Sequence, residues 1–119
     1  MEYKLAQSSQ KQTPKALTLN SSGKREKVST LDIFYCKASG DYVELYLKDK
    51  QMKLFSGSLK KLESELPSTF LRVHRSYLVN LDQVQSLISE AGGGNLIMSN
   101  DEQVPVSRRL MPSVRSAVS

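Results

Sequence analysis

The sequence predicts a mainly β domain of about eight to ten short strands with one or two short helices, and three observations carry that expectation. Short runs rich in aromatic and β-branched residues, such as Ile33-Phe34-Tyr35-Cys36 and Tyr42-Val43-Glu44-Leu45-Tyr46-Leu47, recur along the chain. Polar clusters with turn chemistry separate them, among them Ser39-Gly40-Asp41, Lys48-Asp49-Lys50 and Asn100-Asp101. Helical spacing of apolar residues is confined to one stretch after Ser58 and one after Ser107.

Residues 1–16 are polar, without a hydrophobic period, and read as a linker or disordered tail; residues 17–119 read as the folded domain. Leu17-Thr18-Leu19 is a short strand. Asn20-Ser21-Ser22-Gly23 turns the chain, and Lys24 to Val28 returns as an exposed antiparallel partner. Ile33 to Cys36 is apolar on both faces and fits a buried strand, with Cys36 in the core. Tyr42 to Leu47 and Met52 to Phe55 complete a three-stranded meander. Ser58 is an N-cap for a helix whose Leu59, Leu62 and Leu66 share one face and which Pro67 stops. Phe70-Leu71-Arg72-Val73-His74-Arg75-Ser76-Tyr77-Leu78-Val79-Asn80 reads as strand, charged corner, strand, with His74, Arg75 and Ser76 forming the corner. Val84 to Ile88 and Leu96 to Met98 are strands around a flexible loop from Glu90 to Asn95 that contains three consecutive glycines. Gln103 to Val106 is an edge strand, because Pro105 has no N–H to give to a ladder. Ser107 then caps a C-terminal helix with Leu110, Met111, Val114 and Val118 on its apolar face.

Composition bounds the function. The chain has 119 residues, enough for one core, and 39% of them are hydrophobic. No apolar run approaches the ~20 residues needed to cross a bilayer. An export signal would need an apolar centre, which residues 1–16 lack, so a cytoplasmic location is expected. One Cys and one His exclude an internal disulfide and a structural zinc site of Cys and His ligands; no cofactor is called for. Seventeen Lys and Arg against twelve Asp and Glu give a net charge of +5, a mild pull toward acidic partners such as nucleic acid. Lys4, Lys11 and Lys15 lie in the tail, so any phosphate-binding face depends on clustering in the domain.

Chemistry concentrates in three polar loops: Lys37 to Asp41, the His74-Arg75-Ser76 corner, and Ser107-Arg108-Arg109. A helix-turn-helix reader needs a helical bundle, for which the chain has no room. Groove reading would therefore fall to loops projecting from sheets and converging on one face. His74 beside Ser76 does not make an enzyme, since no oriented acid partner or oxyanion loop accompanies them. Its plainer role is a hydrogen bond to the backbone of its own corner or to a phosphate. Asn80 equally fits the plainer role of fixing the turn that follows it. The glycine triplet lacks the helix start and Lys-Ser/Thr pair of a phosphate cradle.

The combination of Ser58-Leu59-Lys60-Lys61-Leu62-Glu63, the Phe70 to Asn80 stretch, and Val104-Pro105-Val106-Ser107-Arg108-Arg109 resembles the LytTR-type DNA-binding domain of bacterial transcriptional regulators. The resemblance covers roughly residues 17 to 119. It implies an elongated stack of small antiparallel sheets whose loops enter successive major grooves, usually C-terminal to a receiver or other sensor domain, on paired direct repeats in promoters. Base-reading positions of that family match Arg75 and Arg109; a third falls on Asp41 or Tyr42, where some relatives carry a basic residue. Arginine suits the O6/N7 edge of guanine through two parallel hydrogen bonds. Lys37, Lys60, His74, Asn80, Ser107 and Arg108 are the candidates for phosphate contact. Partners so implied are double-stranded DNA and a second copy of the regulator, with no membrane contact. Two other classes remain open: a single-stranded nucleic-acid binder stacking bases on Tyr42 or Tyr46, and a protein-interaction module.

Overall fold

The computed structural model describes residues 16–21 and 23–118. Of the expected tail, residues 1–16, all but Ala16 lie outside them, as does Ser22 of the first turn; Ala16 instead begins the first strand. Ten strands and two α-helices follow in chain order among the described residues, matching the predicted class. They are β1 (Ala16–Ser21), β2 (Lys24–Ser29), β3 (Ile33–Ser39), β4 (Tyr42–Leu47), β5 (Met52–Ser56), α1 (Leu59–Glu65), β6 (Phe70–His74), β7 (Tyr77–Asn80), β8 (Val84–Glu90), β9 (Gly93–Met98), β10 (Gln103–Ser107) and α2 (Met111–Ala117).

These strands form three antiparallel sheets: the hairpin β1-β2, a five-stranded sheet of order β5-β4-β3-β7-β6, and a three-stranded sheet of order β10-β9-β8. The predicted meander and the strand pair around the charged corner are thus one sheet, joined where β7 pairs with β3. That junction brings together residues some forty apart in sequence, a pairing that local pattern does not encode.

The five-stranded sheet is the middle layer, with a core on each face. Leu17, Leu19 and Val28 of the hairpin and Leu59, Leu62 and Leu66 of the helical segment pack with Ile33, Cys36, Val43, Leu45 and Leu78 on one face. On the other, Tyr35, Val73 and Val79 pack with Leu96, Met98, Val104 and Val106 of the small sheet and Met111 and Val114 of α2. The apolar run Ile33 to Cys36 serves both cores because the β3–β4 register shifts between Ile33 and Tyr35, turning Phe34 and Tyr35 toward the second core while Ile33 and Cys36 face the first. Burial pushes the Cys36 thiol well above its ordinary range, so it is inert packing.

Helix α1 is as expected. The Lys61 N–H donates to Ser58 Oγ at 3.0 Å, and the chain leaves the helix at Leu66, just before Pro67. Seven residues gain little from propagation. Burying Leu59, Leu62 and Leu66, at about 1.5 to 3 kcal/mol each, is what holds the helix on the sheet.

Two expectations are corrected. The glycine stretch is not a flexible loop: Glu90 ends β8, Gly93 to Asn95 begin β9, and only Ala91-Gly92 turns. Gly93, at φ 138°, lies so close to the next strand that a Cβ would sit 2.4 Å from the Val106 carbonyl oxygen; at Gly94 it would sit 2.5 Å from that of Ile88. Ser107, in turn, does not cap α2. A 3-10 turn, Arg108–Leu110, intervenes, and Pro112 occupies the first turn of α2, where its missing N–H goes unneeded.

Candidate nucleic-acid interface

The corner between β6 and β7 is tighter than the sequence suggests. His74 is the last residue of β6, paired with Tyr77, and only Arg75 and Ser76 make the turn. Its backbone is tied on every side. The Ser76 N–H donates to His74 Nδ1 at 3.1 Å, so the acceptor nitrogen of the ring is used within the corner itself. The Ala38 N–H of β3 donates to the Ser76 carbonyl at 2.9 Å. From β6, Arg72 Nε donates to the His74 carbonyl at 3.0 Å and Nη2 to the Arg75 carbonyl at 2.7 Å. What the turn presents to solvent is the Arg75 side chain, which is exposed.

Strand register gathers the first group of candidates at this end of the sheet. Lys37 lies opposite Tyr77, its Nζ 6.0 Å from that ring's centroid, while the His74 ring meets Tyr77 edge-on at 5.5 Å. Two residues beyond Ala38, the Gly40-Asp41 turn joins β3 to β4, and Ser39 pairs with Tyr42. Tyr42 in turn pairs with Ser56, and the Gly57 N–H donates to the Asp41 carbonyl at 3.3 Å, so the start of α1 and its exposed Lys60 belong to the same end. Asp41 and Tyr42 are exposed. A carboxylate here only accepts hydrogen bonds, so Asp41 suits a base amino group and opposes a phosphate.

Arg108 and Arg109 sit on the 3-10 turn after β10, both exposed. This turn packs on β6, the strand that runs into the corner, and on β9, where the Gly93 position lies against the Arg108 N–H. Ser107 is half-buried, and its Oγ is enclosed without a hydrogen-bond partner, so reaching a phosphate requires a rotation about χ1.

One candidate is removed. Asn80 is 2% exposed, its Nδ2 donates to the Ile33 carbonyl at 3.0 Å, and its Oδ1 accepts from the Asp82 N–H at 3.0 Å. It fixes the far end of β7, away from the corner, and has no face for a phosphate. Tyr46 is likewise committed: its ring stacks on Tyr35 at 4.6 Å, and its hydroxyl donates to Glu44, which pushes its pKa up to about 12. One face of the ring is therefore taken by Tyr35 and its hydroxyl by Glu44.

Sequence reasoning missed Arg72. A third guanidinium nitrogen, Nη1, reaches Glu63 Oε1 of α1 at 3.4 Å, so the side chain joins corner and helix. A period-two reading would have placed Arg72 on the same face as buried Phe70, turned toward the leucine helix that carries Glu63.

Comparison with known proteins assigns the chain to a class, the DNA-binding domains of transcriptional regulators. The family model of the LytTr DNA-binding domain matches residues 23–119, and the chain belongs to that family. The transcriptional regulatory protein BtsR of Escherichia coli (strain K12) is 44% identical over 62 residues, 51% of this chain and 25% of that protein. The heme-containing CO-sensing transcriptional regulator RcoM 2 of Paraburkholderia xenovorans is 40% identical over 80 residues, 65% of this chain and 30% of that protein. The sensory transduction protein LytT of Bacillus subtilis is 35% identical over 83 residues, 68% of this chain and 34% of that protein. This chain therefore spans about a quarter to a third of the curated relatives it matches. A solved LytTr DNA-binding domain from Bacillus cereus superposes with a TM-score of 0.76 at 24% identity, over 87% of this chain and 96% of that one, and so shares the fold.

Proposed function

We propose that this domain binds double-stranded DNA sequence-specifically through loops set into successive major grooves, as the output domain of a cytoplasmic two-component response regulator. The observation that carries the reading is the tied corner, which holds Arg75 exposed at a sheet end shared with Lys37 and Lys60. Arg75 and Arg109 are the base-reading side chains, each suited to a guanine edge, with Asp41 or Tyr42 at the third loop. Lys37, Lys60, His74, Ser107 and Arg108 hold phosphates. His74 fits that role through the nitrogen that faces away from its own turn.

Binding should weaken steeply with salt, by about 0.9 units of log-log slope for each phosphate neutralised. A gel-shift titration from low to moderate salt measures it, and a flat response would contradict duplex binding through phosphates. One domain offers only a short set of loops, so two copies should occupy direct repeats about one helical turn apart, ~10 to 10.5 base pairs. Inserting half a turn between repeats should abolish joint occupancy by the intact regulator; unchanged occupancy would rule out adjacent copies on one face.

A further inference from the structure

We propose that Arg72 is a positioning residue for base readout: it sets the direction of the Arg75 side chain and does not itself contact DNA. This rests on the reading of Arg75 as a base contact. All three guanidinium nitrogens of Arg72 are engaged within the protein, Nε with the His74 carbonyl at 3.0 Å, Nη2 with the Arg75 carbonyl at 2.7 Å, and Nη1 with Glu63 Oε1 at 3.4 Å. The rigid fork bridges two successive carbonyls, which fixes the peptide planes on either side of the Arg75 Cα, and with them the exit vector of its side chain. Lysine carries the same charge, but its three donors radiate from one tetrahedral nitrogen on a flexible stem and do not reproduce the planar fork that engages two carbonyls and Glu63 here. Glu63 gives the clamp a fixed base on α1, the helix that carries Lys60. Arg72 thus ties the orientation of a base-reading arginine to the position of a phosphate-binding helix. Misplacing a reacting or contacting group by a fraction of its hydrogen-bond length is costly where the contact is bidentate, and hardly matters where only charge is needed.

The test compares wild type, Arg72→Lys, Arg75→Ala and the double variant, each titrated against a selected operator and a random duplex over a range of salt. Arg72→Lys should lower the operator-to-random affinity ratio about tenfold, part of what one good bidentate contact supplies. Random-duplex affinity should stay within about twofold and the salt slope should not change, because the charge is kept. In the Arg75→Ala background the same substitution should cost no further discrimination. A wild-type-like ratio for Arg72→Lys overturns the proposal. So does equal weakening on both duplexes with the slope reduced by about one, since Arg72 would then be a phosphate contact. Wild type that does not prefer its operator, or Arg75→Ala that keeps the preference, instead overturns the reading of Arg75 on which the proposal stands. A measurement on unsubstituted protein covers the case in which Arg72→Lys does not fold. The Arg72 Nε–H resonance should be protected from exchange and stay in place when operator is added, while the Arg75 side-chain resonance moves. An Arg72 signal that shifts with Arg75 overturns the proposal.

Discussion

At the corner between β6 and β7 an arginine-bearing turn is held by side chains; at the Arg108–Leu110 turn the same kind of residue is held by backbone lying against backbone. Arg72 and His74 supply most of the bonds in the first case, beside one backbone bond from the Ala38 N–H to the Ser76 carbonyl. In the second, Gly93 leaves room for Val106 and Arg108 to approach, and Ser107 contributes no capping bond. The difference is one of coupling. A side-chain clamp can be altered without opening a sheet, so the direction of Arg75 can change while the fold stands. Backbone contact allows no such separation, and the second turn shares the stability of the β8-β9-β10 sheet and α2.

The largest effect that sharpens this contrast belongs to Gly93→Ala. An L side chain at φ 138° with its Cβ 2.4 Å from a carbonyl oxygen adds backbone strain to overpacking. It should destabilise the domain by about 2 to 5 kcal/mol in urea unfolding. A wild-type midpoint would show that the second turn is independent of its sheet. Asn80→Ala should come next, at about 2 to 3 kcal/mol, because it leaves the Ile33 carbonyl without its partner in a buried place and frees the part-buried Asp82 N–H. Its salt slope on DNA should match wild type; a slope lower by one would return Asn80 to the phosphate-binding set. The smallest effect is that of Lys60→Ala, exposed on α1, which should leave unfolding within about 0.5 kcal/mol of wild type. On DNA it should weaken all duplexes similarly and reduce the salt slope by about one contact, and selective loss on the operator would show that it reads sequence.

Much of this was legible locally. Ser58, the three leucines and Pro67 define α1 by chemistry within ten residues, and the unbroken apolar run Ile33 to Cys36 announces a strand covered on both faces. The corner was legible as a corner because polar residues interrupt two apolar runs. What escaped depends on distant partners. Asn80 looks like a polar surface residue until β3 brings the Ile33 carbonyl to it. Three glycines look like a loop until Val106 is seen to need the space at Gly93. Arg72, an arginine between Leu71 and Val73 in a strand, shows no role in the sequence until Glu63 and two carbonyls account for its nitrogens. The direction of these polar side chains is set by groups that reach them through the fold, and at least one for each, the Ile33 carbonyl at Asn80 and the Glu63 carboxylate at Arg72, comes from another element.

The most direct test of loop-based readout is a binding titration of wild type, Arg75→Ala and Arg109→Ala against a panel of single-base operator variants, with thermal unfolding in parallel. Each substitution should cost ~1 to 3 kcal/mol on the best site, relax preference at its own base position and leave the fold intact. Equal loss of affinity for operator and random DNA would mean that both arginines only hold phosphates, and would move specificity to the 39–42 loop or to the bending of the duplex.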